Sequence, residues 1–136
     1  MRVVLFLSGI FFVCMIAAGC KKPHNSISGG GLGGNCTISV SGEHHGDLLD
    51  TCIVYIKYGT LDEPANNVYD DSDSVVLTGG TPVAVFKNLT VGLYYLQAVG
   101  YHGAYSPPNV KGGIPVTVST SGTTTNVVIP TYEYIP

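Results

Sequence analysis

The chain has 136 residues, of which 45% are hydrophobic and only 11% charged, with 18 glycines, nine tyrosines and no tryptophan. That length holds one domain, and the balance favours strands and turns over long solvated helices. Residues 20–136 carry five lysines, no arginine and nine carboxylates, a net of −4 with histidine neutral, which argues against nucleic acid as a partner because phosphate binding needs clustered cations.

Met1-Arg2 supplies one positive charge, and residues 3–18 form an apolar run that is short for a permanent membrane span, so the segment reads as a signal peptide. It ends in Ala17-Ala18-Gly19-Cys20, followed at once by Lys21-Lys22. Here the chain resembles bacterial lipoproteins, whose lipobox sets small residues before a cysteine, with Ala17 standing where Leu is usual. The resemblance implies a signal peptide over residues 1–19 and an acylated Cys20. It also implies attachment to the lipid bilayer of the bacterial outer membrane, facing the periplasm or the cell surface. At roughly 0.8 kcal/mol per buried methylene, three acyl chains would make that attachment essentially permanent. Residues 21–34 contain Pro23 and the run from Gly29 to Gly34, with almost nothing to bury. They are expected to form a flexible tether with an end-to-end distance on the order of 20 Å. Residues 20–34 are thus the lipidated cysteine and tether, and residues 35–136 the folded domain.

Within that domain, residues 36–40 alternate apolar and polar and end at Ser41-Gly42, a first strand. Residues 43–50 are a polar excursion. Residues 51–58 form a second strand, with Cys52, Val54 and Ile56 inward and Ile53, Tyr55 and Lys57 on the far face, since Lys57 belongs in water. Residues 59–74 are long and polar, a loop with room for one short irregular strand. Residues 75–77 and 83–86 flank Gly79-Gly80 and read as a hairpin, because a glycine pair supplies the positive φ angles of a tight turn. Residues 86–100 then read as strand, corner and strand, with Phe86, Leu89, Tyr94, Leu96 and Ala98 inward. Gly92 is expected to permit an unusual backbone angle, and the Tyr94 hydroxyl to bond a nearby backbone group. Residues 114–119 and 124–129 supply two further strands.

The spacing Phe86-x-x-Leu89-x-x-Gly92-x-Tyr94-x-Leu96, followed by Gly100-Tyr101, resembles carboxypeptidase regulatory-like domains, relatives of the prealbumin-like and collagen-adhesin B-type sandwiches. The resemblance covers residues 36–130 and implies an all-β, Ig-like or prealbumin-like β-sandwich of about seven strands. It departs from the family's pattern at Asp50-Thr51-Cys52, where the family has Gly-Ala.

Chemistry-bearing groups are few. His44 and His45, with Asp47, Asp50 and distant His102, are the cluster with metal-ligand chemistry. Adjacent strand residues face opposite ways, so the two histidines can share an ion only from a loop, and a solvated turn is the favoured reading. Asp71 and Asp73, in the run Asp70-Asp71-Ser72-Asp73, offer oxygen ligands without the glycine and glutamate of an EF-hand loop. No metal or other cofactor is expected. Cys36 and Cys52 are expected to be free buried thiols, with a disulfide as the alternative should their strands lie in different sheets. Asp73-Ser74-Val75 resembles the short O-glycosylation acceptor of some bacteria. No nucleophile elbow or placed histidine supports catalysis, so the protein is not expected to be an enzyme. Tyr101 and Tyr105 are the candidates for a binding platform.

The expected function is that of a membrane-anchored, non-catalytic envelope lipoprotein whose β-sandwich is a binding or structural module for protein or glycan. The alternatives are a fimbrial or surface-fibre subunit, pairing through residues 124–136, and an accessory domain of a carbohydrate-uptake system.

Overall fold

The computed structural model describes residues 26–136; the expected signal peptide and Cys20 lie outside the described residues. Among the described residues, ten strands form two sheets: β1 (Leu32–His44), β2 (Asp47–Leu48), β3 (Cys52–Tyr58), β4 (Asp71–Ser74), β5 (Val76–Thr78), β6 (Thr81–Leu89), β7 (Gly92–Tyr101), β8 (Asn109–Val118), β9 (Thr124–Pro130) and β10 (Tyr132–Glu133). One sheet runs β2-β1-β6-β5 with β9 also paired to β1, and the other β10-β8-β7-β3-β4. Neighbours are antiparallel except β1 and β9, which run parallel.

Period-two alternation builds the core between the sheets. Ile38 and Val40 from β1 stand opposite Phe86 and Ala84 from β6. Val54 and Ile56 from β3 likewise stand opposite Ala98 and Leu96 from β7, and all eight are buried. The inward set expected for β3 is therefore the one observed, with Lys57 outside bonding Asp70 at 3.0 Å. Partial burial works against the Asp70 charge, but the Tyr58 amide and Lys57 outweigh it and hold that carboxyl below its usual range. Gly79 and Gly80 close the β5–β6 hairpin with φ of 59° and 86°.

The corner between β6 and β7 has the expected inward residues and a different reason for its glycine. Phe86, Leu89, Tyr94, Leu96 and Ala98 are all buried. The left-handed residue of the corner is Asn88, with φ 58°, whereas Gly92 has no such angle. Gly92 is required by close approach: a Cβ there would run into the backbone of Gly29 and Gly30.

The same contact corrects the expected tether. From Gly29 the chain lies on the corner instead of hanging free of it. Leu93 N–H donates to Gly29 O at 2.6 Å, Thr90 N–H to Gly31 O at 2.8 Å, and Gly31 N–H to the Tyr94 hydroxyl at 3.0 Å. Strand β1 begins at Leu32, four residues before the expected first strand. Glycine suits a tether by its freedom, but here it serves because two backbones pass too closely for side chains between them.

Cys36 and Cys52 are free and buried. Their strands lie in different sheets instead of forming a hairpin, yet the two residues sit toward opposite ends of the sandwich. The Cys52 sulfur is 3.2 Å from where a Cβ on Gly42 would stand. Gly42 is six residues up β1 from Cys36, about 20 Å at 3.3 Å per residue, far beyond the span of a disulfide. Burial pushes the Cys52 thiol up to about 11, opposed in part by the Val99 backbone. Alkylation of the native protein at pH 8 without reductant is expected to leave both cysteines unmodified, and alkylation in denaturant to modify both. Mass spectrometry of the two peptides reads this directly, and a disulfide-linked peptide pair would contradict the geometry.

Candidate functional site

Two surfaces gather side chains of chemical interest. The first is at the end of β1. His44 is the last residue of that strand and is buried, 1% exposed. His45 and Gly46 form the turn into β2, with φ of 55° and 90°. That left-handed turn breaks the strand's alternation and brings the His45 ring to 4.3 Å from that of His44. The condition for two adjacent histidines to share a site, that one stand in a loop, is thereby met.

Two other parts of the chain converge on them. His102, just past β7, sets its Nδ1 3.1 Å from Nδ1 of His44 and its Nε2 3.9 Å from an Asp47 carboxylate oxygen. Glu133 of β10 brings Oε1 to 3.2 Å from His45 Nε2 and 3.4 Å from His44 Nε2. The second contact lacks hydrogen-bonding geometry, leaving His44 Nε2 buried and without a hydrogen-bond partner. The Glu133 carboxyl is pulled down to about 2, first by its own backbone N–H and then by the hydrogen bond from the His45 imidazole. Tyr105 stacks on His45 at 4.7 Å and meets His44 and His102 edge-on.

Glu133 reaches this place because the chain changes sheets. Strand β9 pairs with β1 up to Pro130 opposite Glu43, and β10 then pairs with β8 in the other sheet. The hinge residue, Thr131, is buried and anchored by its N–H and its hydroxyl, both donating to Glu43 O at 2.8 Å.

The second surface is the outer face of the β8-β7-β3 sheet. Tyr55, Gln97, Val99 and Lys111 on the strands, with Tyr69 from the loop and Tyr134 from the C-terminal segment, line an open concavity of about 330 Å³. Tyr55 and Tyr69 rings lie 5.5 Å apart. Glu63 accepts a hydrogen bond from Gln97 Nε2 at 2.7 Å and lies 3.4 Å from Lys111 Nζ. The Tyr69 hydroxyl is buried without a partner. Burial, and then the Glu63 charge, push its phenol up to about 12.

No family model, curated protein or solved structure matches this chain. The residues themselves therefore carry the functional argument.

The sequence-expected residues fare unequally. His44, His45, Asp47 and His102 come together, whereas Asp71 and Asp73 do not form a site. Those two lie on strand β4, where Asp71 accepts from the Ser72 amide and Asp73 from the Val85 amide, both at 2.8 Å. Among the described residues the one group of three or more metal-ligating side chains is His44, His45 and Glu133. Tyr105 packs with the histidines, and Tyr101, 52% exposed, lies over Gly103, so neither lines the tyrosine concavity. Sequence reading missed Glu133, Tyr69 and Tyr134. For Tyr55 a signal existed, since the alternation of residues 51–58 already set it on the far face.

Proposed function

We propose that the protein is a bacterial envelope lipoprotein, held in the outer membrane by acylated Cys20, whose carboxypeptidase regulatory-like, prealbumin-like sandwich is a non-catalytic binding module for glycan or protein. The membrane part of this reading rests on the small residues before Cys20 and the apolar run that precedes them. Among the described residues, no helix is long and apolar enough to cross a membrane. The family part rests on the corner spacing from Phe86 to Leu96 and on the two-sheet architecture.

The observation that carries the binding reading is the tyrosine-lined concavity. Ring faces beside amide and charged groups suit a polar ligand with apolar faces, as a sugar ring has. The two tyrosines differ in origin, Tyr55 from the rigid sheet and Tyr69 from the loop above it. Binding to a glycan and peptide array, followed by titration of the best ligand, is the test. Tyr55→Ala and Tyr69→Ala are each expected to weaken binding about tenfold or more with the fold intact. Binding that ignores both substitutions would remove the concavity from the argument. Loss of acyl labelling in Cys20→Ala tests the anchor separately.

The surface-fibre reading rests on the strand Thr124–Pro130, which pairs with β1 along seven residues and, among the described residues, has no strand partner on its other edge.

A further inference from the structure

We infer that His44, His45 and Glu133 form a binding site for a divalent transition-metal ion of the zinc type, oriented by His102 and Asp47. The inference rests on the ligand geometry and on one unsatisfied atom. In a tetrahedral site with metal–nitrogen bonds of about 2.0–2.1 Å, neighbouring ligand atoms stand about 3.3 Å apart. The Glu133 oxygen lies 3.2 Å from His45 Nε2 and 3.4 Å from His44 Nε2, so two edges of the ligand triangle are already at that length. All three ligand atoms lie within 4.8 Å of one another, and closing the third edge takes a turn of the half-exposed His45 ring against Tyr105.

One of the two proton placements open to the His44–His102 pair suits an ion. The Nδ1 atoms of His44 and His102 are 3.1 Å apart, so one of them must carry the hydrogen. When His44 donates, His102 holds its own proton on Nε2, toward the Asp47 carboxylate 3.9 Å away. His44 Nε2 is then a bare lone pair, buried, facing a carboxylate oxygen at 3.4 Å with no hydrogen bond between them. Two acceptors in contact repel unless a proton or a metal ion lies between them, and no hydrogen bond forms there. A metal ion there satisfies both, and the chain Asp47, His102, His44 becomes the outer support that metal-bound histidines generally have, in which the second ring nitrogen donates to a neighbour. Imidazole with carboxylate favours zinc and its neighbours in the first transition row over calcium or magnesium, which take all-oxygen shells. The exposed sides of His45 and Glu133 leave the fourth position open to water or to a ligand carboxylate.

The test is calorimetric titration of Zn²⁺ into the untagged, metal-stripped full chain in detergent, with Co²⁺ absorption as a second readout. One equivalent should bind, and Co²⁺ should give the intense visible bands of a tetrahedral nitrogen–oxygen site. His45→Ala and Glu133→Ala, both at exposed side chains, should each weaken binding at least tenfold without changing the unfolding midpoint of the metal-free protein. His102→Gln, a change in the supporting residue, should weaken it about 10- to 100-fold and shift the Co²⁺ spectrum. Absence of stoichiometric binding overturns the site and leaves the cluster an imidazole–carboxylate pair. So does binding that survives the His45→Ala, Glu133→Ala double variant, or a thiolate-to-cobalt charge-transfer band that traces the ion to a cysteine.

Discussion

Tyr94→Ala is expected to cost about 3–5 kcal/mol of folding stability, the range for removing a large aromatic ring from a core. The ring is fully buried and meets Tyr58 edge-on at 6.0 Å. Its hydroxyl donates to Thr90 O at 2.6 Å and accepts from Gly31 N–H at 3.0 Å. It therefore joins three parts of the chain: the corner, the strand that leaves it, and the glycine segment laid across both. Tyr94→Phe separates the two contributions. It keeps the packing and removes the hydroxyl, at an expected cost of about 1–3 kcal/mol for the groups left unpaired. In that variant hydrogen exchange should quicken at Gly31, because its N–H loses its acceptor. Urea unfolding midpoints measure both changes, and an alanine variant as stable as the parent would mean that the corner does not depend on this ring.

Gly112→Ala is expected to be the next most costly change, at about 1–3 kcal/mol for overpacking a tight crossing. A Cβ on Gly112 would collide with the Pro130 carbonyl and lie 3.0 Å from Thr131 Cα, where the chain passes from β9 in one sheet to β10 in the other. The backbone must give, and what it carries is Thr131, Glu133 and Tyr134. The substitution should thus lower the unfolding midpoint and also disturb both surfaces, since Glu133 stands beside the histidines and Tyr134 lines the concavity. A control at Gly103 separates this from a general effect of adding a methyl group. There a Cβ would meet the Tyr101 side chain, with its nearest atom at 3.0 Å, and a side chain can move aside. Equal losses at the two positions would argue against a role for the crossing.

The readable part of the fold was the part written in short-range alternation. Cys52, Val54 and Ile56 face inward because the strand repeats every two residues, and the same rule sets Tyr55 outward. The β5–β6 hairpin was legible from a glycine pair, and the corner from the spacing of Phe86, Leu89, Gly92, Tyr94 and Leu96. The packing of the glycine run before Cys36 was not legible, because glycine has two opposite uses. Composition cannot tell a free linker from a segment pressed against another backbone. The two-residue strands β2 and β10 carry no periodicity of their own and exist because a neighbour offers them hydrogen bonds.

The amino-acid pattern by itself determined the all-β class and the inward faces of β3 and of the corner from β6 into β7. These depend on residues a few positions apart, where strand geometry leaves little choice. Only the tertiary structure decided which distant residues share a site. His44 and His45 were visible as a pair, but Glu133 lies 88 residues further along the chain, and it arrives only because Thr131 hangs from the Glu43 carbonyl as the chain changes sheets. The tyrosine face is likewise assembled from strands that are neighbours in the sheet and strangers in sequence. Local alternation says which way a side chain points, and it takes the pairing of strands to say what it points at.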